Sequence, residues 1–289
     1  MISDKMSKLL ERSAAMSSMY TESARLKAEY GAENVYDFGM GNPNLAAPDC
    51  IREVSIRILQ ETDPWYLHHY MPNNGFPEAR EKIAASLNRR FGGDYGVENI
   101  VMCTGAAGGI NCLLKVLMDA GQEILTFAPY FGEYDRYADN VGCTLKAVPP
   151  NLPSFQPDPA ALAACITENT KAVLLNNPHN PTGVVYDAKT VKEICDVLAE
   201  KEKEFGHAIY LISDEPYREL VFDGAVVPWV PDYYKNTIVA YSFSKSLSLP
   251  GDRIGYLALK NDVEDFENIV SALAVATRIM GFINAPGLQ

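Results

Sequence analysis

The sequence predicts an α/β fold: one doubly wound domain in three layers, with a mainly parallel sheet of seven strands covered by helices on both faces. Short apolar runs recur between residues 100 and 259. Helical patterns lie between most of them, and strands alternating with helices build βαβ units. No internal repeat divides the chain, and 289 residues suffice for one large domain plus a smaller appendage.

The elements follow in order. Residues Ser7 to Tyr30 read as an amphipathic helix closed by Gly31. An irregular segment over 36–48 contains the run YDFGMGNPN. Helical patterns occupy Pro48–Gln60 and Pro77–Phe91, the second opening on proline and stopping before Gly92. The apolar runs are Ile100–Thr104, Glu123–Phe127, Thr144–Val148, Ala172–Asn176, Ala208–Ser213, Ile238–Ser242 and Ile254–Leu259. Between them, Gly108–Asp119, Tyr130–Val141, Pro159–Thr167 and Ala188–Phe205 carry helical patterns. Residues 1–45 are expected to form an N-terminal segment and 46–289 the large domain.

Composition bounds the function. Hydrophobic residues make up 47% and charged residues 21%, the balance of an ordinary soluble globular protein. A formal charge of −12 argues against a nucleic-acid partner, which needs a basic surface. It leaves room for a small anionic ligand held by a local basic cluster. The six cysteines show no C-x-x-C pair and are expected as buried free thiols in a reducing cytoplasm. The N-terminus does not read as a secretory signal, and no run approaches the ~18 apolar residues of a membrane span. The four histidines lack metal-ligand spacing, so no metal is expected, and His179 reads as loop-exposed.

In doubly wound sheets ligands bind beyond the carboxyl ends of the strands, so the loops there carry the chemistry. TGAAGG at 104–109 leads into a helix whose N-terminus can take a phosphate, although a tight turn needs small residues in any case. Neither G-x-G-x-x-G nor a P-loop is present. In APYFGEY (128–134) an aromatic can stack on a flat heterocycle or simply join the core. NNPHNPTG (176–183) is turn chemistry, but its two Asn-Pro pairs hold amides at a strand end in a restricted backbone. In SDEPYREL (213–220), Asp214 leaves an apolar strand and needs a partner, unless it caps a helix. In SFSKSLSLPGDRIGY (242–256), Lys245 follows an apolar run, where desolvation lowers the pKa of an amine and makes it a nucleophile toward carbonyls. The competing reading is a solvated surface lysine.

In this order N-P-T-G (180–183), D-x-x-Y (214–217) and S-x-S-K-x7-R (242–253) resemble the fold-type I pyridoxal-phosphate enzymes. Within that group the sequence is similar to the class I and II aminotransferases related to aspartate aminotransferase, from about Tyr36 to the end. The resemblance implies a pyridoxal-phosphate-dependent transferase-like α/β/α fold and pyridoxal 5′-phosphate as cofactor. By that similarity Lys245 carries the cofactor as a Schiff base and later moves a proton as base and acid. Asp214 pairs with the protonated pyridine nitrogen. Asn180 and Tyr217 hydrogen-bond the phenolic oxygen. Gly105, Ala106 and Ala107 form the phosphate loop, and Ser242, Ser244 and Arg253 complete the phosphate site. Phe131 stacks on the ring. Tyr70 reaches from one subunit to the other's phosphate, which implies a homodimer. Gly41 and Asn180 help seat the substrate carboxylate.

The resemblance implies transfer of an amino group between an L-amino acid and a 2-oxo acid. A cystathionine-type C–S β-lyase, which shares fold and cofactor contacts, is the alternative. A sensor domain fused to a DNA-binding module finds no support before residue 36. Two departures stand out. The family continues past the position of Gln289 into a small domain carrying the arginine for the substrate α-carboxylate. That domain is expected to be missing here, residues 1–45 to belong to it or to a dimer arm, and the chain alone to turn over weakly or not at all. Arg278 lies near the arginine that reads a side-chain carboxylate in aspartate-specific members, but out of register relative to Asn284, so aspartate is one candidate among several.

Overall fold

A computed structural model describes residues 2–37, 41–285 and 288; at residue 8 and residues 11–20 only the backbone is described. The chain divides into two units, Met1–Asn44 and Leu45–Gln289.

In the first, α1 (Asp4–Tyr30) opens with the Ser3 hydroxyl accepting from the Met6 amide. Gly31 ends it at φ 86°, where other residues are strained, and its N–H reaches the Lys27 carbonyl. Ser23 and Lys27 donate to Asp37 at 2.5 and 2.8 Å, holding the outgoing segment against the end of the helix. Gly41 is an exposed residue of this unit, and Phe38–Met40, in the glycine-rich run, lie outside the described residues.

The second unit begins with α2 (Asp49–Glu61), α3 (Pro64–His68) and α4 (Pro77–Phe91). Strands and helices then follow as β1 (Ile100–Cys103), α5 (Gly105–Leu117), β2 (Glu123–Phe127), α6 (Glu133–Asn140) and β3 (Thr144–Val148). A small hairpin, β4 (Pro150–Asn151) and β5 (Gln156–Pro157), precedes α7 (Pro159–Cys165), β6 (Thr170–Asn176), α8 (Ala188–Phe205) and β7 (Tyr210–Asp214). The unit closes with β8 (Thr237–Ser242), α9 (Phe243–Ser246), β9 (Gly255–Leu259) and α10 (Phe266–Ile279). The main sheet has seven strands in the order β1-β9-β8-β7-β6-β2-β3. Only β9 runs antiparallel to its neighbours, β1 and β8. The mainly parallel seven-stranded sheet expected from the apolar runs is therefore present.

Alternation along the strands feeds both faces, as a sheet covered on two sides requires. Ala172, Leu174 and Ile212 pack with α5, α6 and α10. Val173, Leu175 and Leu211 pack with α7 and α8. A third cluster joins α4 and Trp229 to Val239, Tyr241 and Tyr256.

Several expectations need correction. Helix α5 begins at Gly105, three residues before the predicted Gly108, because Gly105 takes φ +69° and turns the chain straight from strand into helix. Helix α6 is shorter than the predicted 130–141, starting only after Phe131 and Gly132. Helices α3 and α9 and the hairpin are too short for a periodic signal. Helix α10 is long enough: Ile269, Leu273, Ala276 and Thr277 are buried on one face, a pattern legible in the sequence but not read there. Of the six cysteines only Cys103, Cys112 and Cys195 are buried; Cys143 and Cys165 are half-buried and Cys50 is exposed on α2, a helix with no buried residue.

Candidate active site

Parallel strands end at a common edge, and three of them deliver polar residues there. Asn176 closes β6, Asp214 closes β7 in register with it, and Ser242 closes β8. Beside them the N-terminus of α5 leaves β1. The cleft between, about 630 Å3 with its mouth, suits a small ligand. Ten of the predicted residues line it: Ala106, Ala107, Phe131, Asn180, Asp214, Tyr217, Ser242, Ser244, Lys245 and Arg253.

Asp214 is buried at 6% exposure. Its Oδ2 accepts from the Tyr134 hydroxyl at 2.5 Å, while Oδ1 has no partner among the described residues. Burial pushes the carboxyl up to about 7; the Tyr134 bond pulls the other way and the neighbouring Glu215 charge adds to the rise. Asn176 fastens the next loop to the strand ends. Its side-chain amide donates to the Asp214 carbonyl at 2.9 Å, and its Oδ1 accepts from the Asn180 N–H at 2.6 Å. Asn180 is thereby aimed so that its amide donates to the Tyr217 hydroxyl at 3.1 Å. Burial raises the Tyr217 pKa, so the phenol keeps its proton.

Lys245 sits on α9, a single turn capped by the Ser242 hydroxyl, which accepts from the Ser244 N–H. Burial, and then the nearby Arg253 charge, lowers its amine below the ordinary lysine range. That is the direction a nucleophilic amine requires. Ser242 and Ser244 share a hydroxyl hydrogen bond at 2.8 Å. Arg253, at φ 56°, donates to the Pro250 carbonyl at 2.9 Å, and its guanidinium lies against Gly105. A Cβ on Gly105 would come within 3.0 Å of Arg253 Nη2. A Cβ on Gly255 would meet the Tyr241 carbonyl at 2.3 Å and Gly105 Cα at 2.9 Å, so the phosphate-loop candidate and β9 touch backbone to backbone.

Other predicted residues stand elsewhere. Gly105 does not itself line the cleft; it lies against Arg253, which does. Tyr70 does not line the cleft; at 81% exposure it packs against the Phe282 ring, 5.1 Å between centroids. Gly41 belongs to the N-terminal unit. Arg278 is exposed, its guanidinium over Phe282. His179 is not loop-exposed as expected: it is buried at 5%, shares a 2.7 Å hydrogen bond with Thr182 and packs against Tyr186. The Asn-Pro loop folds inward over this ring, and burial lowers its pKa to about 4. Sequence reasoning missed Tyr134, Tyr137, Asn176 and Ile110, all of which line the cleft. Tyr134 follows Phe131 by three and Asn176 ends an apolar run, so position relative to the strand ends was the available signal.

The sequence profile of the family described as aminotransferase class I and II matches residues 32–287. This chain belongs to the class I and II aminotransferases. An amino transferase from Eubacterium rectale superposes with a TM-score of 0.94 at 39% identity, over 99% of this chain and 72% of that one. The aspartate aminotransferase of Pyrococcus horikoshii is 31% identical over 263 residues, 89% of this chain and 63% of its own length. A probable aspartate/prephenate aminotransferase of Aquifex aeolicus is 34% identical over 249 residues, 83% of this chain and 59% of its own length. The chain thus spans less than two thirds of these two relatives.

The aminotransferase family depends on pyridoxal phosphate, and the residues of this cleft fit that group. A protonated pyridine nitrogen needs a buried acceptor, and Asp214 Oδ1 is one without a partner. A phosphate needs N–H groups, hydroxyls and a guanidinium, and the start of α5, Ser242, Ser244 and Arg253 lie at one cleft. Among the described residues no cluster of His, Cys, Asp or Glu could hold a metal ion, and no helix is long and apolar enough to cross a membrane.

Proposed function

We propose that this chain is the cofactor-carrying part of an aminotransferase that binds pyridoxal 5′-phosphate on Lys245 and moves an amino group between an L-amino acid and a 2-oxo acid. The observation that carries the reading is one cleft holding a lysine of lowered pKa and a buried aspartate with an unpaired oxygen. The bound cofactor supplies an electron sink for the carbon that bears the substrate amine.

The chain's own residues do the rest. Asp214 Oδ1 would accept from the ring nitrogen and, by charge, keep it protonated. Asn180 and Tyr217 donate toward the phenolic oxygen. The α5 N-terminus with Gly105, Ala106 and Ala107, together with Ser242, Ser244 and Arg253, holds the phosphate. Phe131, which lines the cleft, would stack on the ring. The Lys245 amine would move the proton at the substrate α-carbon. Asn180 would help seat the substrate carboxylate, a role the family resemblance gives to Gly41 as well. Aspartate or a similar amino acid is the proposed donor, in keeping with relatives named aspartate or aspartate/prephenate aminotransferases. Those names also favour transamination over the C–S lyase reading.

Residues 1–45 are assigned to a small domain or dimer arm and 46–289 to the large domain, in a cytoplasmic homodimer to whose shared site Tyr70 contributes. Exposed Ile56 and Leu59, three apart on one face of α2, and Trp65 at 72% exposure support a partner covering these helices. Adding pyridoxal phosphate to the protein is expected to produce a visible absorption band, and borohydride is expected to fix the cofactor to the peptide holding Lys245. A 2-oxo-acid-dependent conversion of L-aspartate or another amino acid supports the transferase; pyruvate and ammonia released from cystathionine instead would assign it as a lyase. A parent chain and K245A variant alike in the near-visible would end the proposal.

A further inference from the structure

We propose that Tyr241 is a positioning residue that ties the Lys245 turn to the Tyr217 turn and so sets the proton balance of the lysine-bound cofactor. The inference rests on the assignment of Lys245 and Tyr217 as cofactor contacts, and concerns a residue that touches neither cofactor nor cleft. Tyr241 is the penultimate residue of β8, 5% exposed, on the sheet face that packs with α4 and Trp229. Its hydroxyl lies 2.9 Å from Glu219 Oε2 and 2.8 Å from Ser246 Oγ. A phenol has one proton, and a carboxylate can only accept. Tyr241 therefore donates to Glu219, and the Ser246 hydroxyl donates to the Tyr241 oxygen.

The two partners are not arbitrary. Ser246 is the residue after Lys245 and the last of α9. Glu219 follows Tyr217 by two, in a turn closed by the Leu220 N–H on the Tyr217 carbonyl at 2.8 Å. Arg90 of α4 holds the other Glu219 oxygen at 2.6 Å, so the carboxylate is fixed from both sides. One hydroxyl thus bridges the turn bearing the lysine and the turn bearing the phenol that faces Asn180. The Tyr241 ring is itself held, stacked on Tyr256 at 5.0 Å and edge-on to Phe243 at 5.2 Å. Burial pushes its pKa far up, so the bridge persists across the pH range of use. Such a network, anchored on the buried Tyr241 and reaching the surface at Glu219 and Arg90, fixes geometry more than it adds stability.

Removing the hydroxyl loosens Tyr217, whose hydrogen bond to the phenolic oxygen favours loss of the lysine-nitrogen proton. The test is a pH titration of the visible band of the pyridoxal-phosphate-loaded protein. For Y241F the midpoint is expected to rise by about half a pH unit or more, a threefold change in the proton equilibrium. S246A, which cuts one link and leaves the rings intact, is expected to shift it in the same direction by less. Y256F, which removes a hydroxyl from the same aromatic cluster, should leave it unmoved. If Y241F keeps the parent midpoint and loses only thermal stability, Tyr241 is a packing residue and the inference fails. Should Y241F not fold, S246A decides: an unmoved midpoint overturns the bridge. A parent protein that gains no band removes the Lys245 assignment itself, a result distinct from an unshifted one.

Discussion

Tyr134 and Asp214 meet 80 positions apart in sequence, the phenol donating to one carboxylate oxygen at 2.5 Å and leaving the other without a partner among the described residues. The bond fixes which oxygen faces the cleft and restrains the rise in pKa that burial causes.

Tyr134→Phe removes a hydrogen bond to a charged group, worth about 1.5–3 kcal/mol. The Asp214 pKa then rises above its value of about 7, so more of the carboxyl is protonated at neutral pH. The affinity for pyridoxal phosphate should fall about tenfold or more, and its loss on acidification should begin at higher pH. Cofactor titrations from pH 6 to 9 check this; superimposable curves for parent and variant would reject it.

Asp214→Asn isolates the cost of burying that charge. Asp214 holds its proton more tightly folded than unfolded, since its pKa rises from 3.8 to about 7. Stability of the cofactor-free protein therefore falls as pH climbs through that window, and the full penalty stands above it. The neutral asparagine should stabilise the cofactor-free protein at pH 8 by on the order of a few kcal/mol, and make no difference below pH about 4. Thermal unfolding at the two pH values checks it. With cofactor bound the order should reverse, because the variant lacks the charge proposed to pair with the ring.

Gly105→Ala tests the phosphate loop. An alanine at φ +69° costs about 1–2 kcal/mol, and its methyl presses on Arg253 Nη2. Affinity for pyridoxal phosphate should drop roughly tenfold. Affinity for pyridoxal, which has no phosphate, should change far less. Equal losses for both ligands would place Gly105 outside the phosphate site.

Arg218→Met tests the ground beneath Tyr217. Glu215 and Arg218 form a buried ion pair, 0% and 7% exposed, with Ser213 also donating to Glu215 and the guanidinium 5.1 Å from the centroids of the mutually stacked Phe91 and Trp229 rings. Removing the cation strands a buried carboxylate, which costs about 3–5 kcal/mol. Urea unfolding should show that loss, and adding Glu215→Gln should recover a good part of it. A single variant as stable as the parent would contradict this account of the pair.

Much of the site was legible because its chemistry lies in short motifs at strand ends. Lys245, Asp214, Asn180 and Arg253 each follow an apolar run, and strand ends are where doubly wound sheets place ligands. Tyr134 was legible only as a residue near a strand end; that its hydroxyl meets Asp214, 80 positions on, is shown by the fold alone. His179 was misjudged because a loop rich in asparagine and proline reads as exposed, yet this one turns inward.

The seven strands of the main sheet, the βα alternation and the motifs at the strand ends are local properties, set by two-residue and 3.6-residue periodicities and by turn chemistry, and the sequence alone determined them. The order of the strands, the antiparallel placement of β9, the contact of Gly255 with Gly105 and the Tyr241 bridge join residues far apart along the chain. Such contacts depend on which surfaces bury one another. That is a property of the packed whole, so only the tertiary structure decided them.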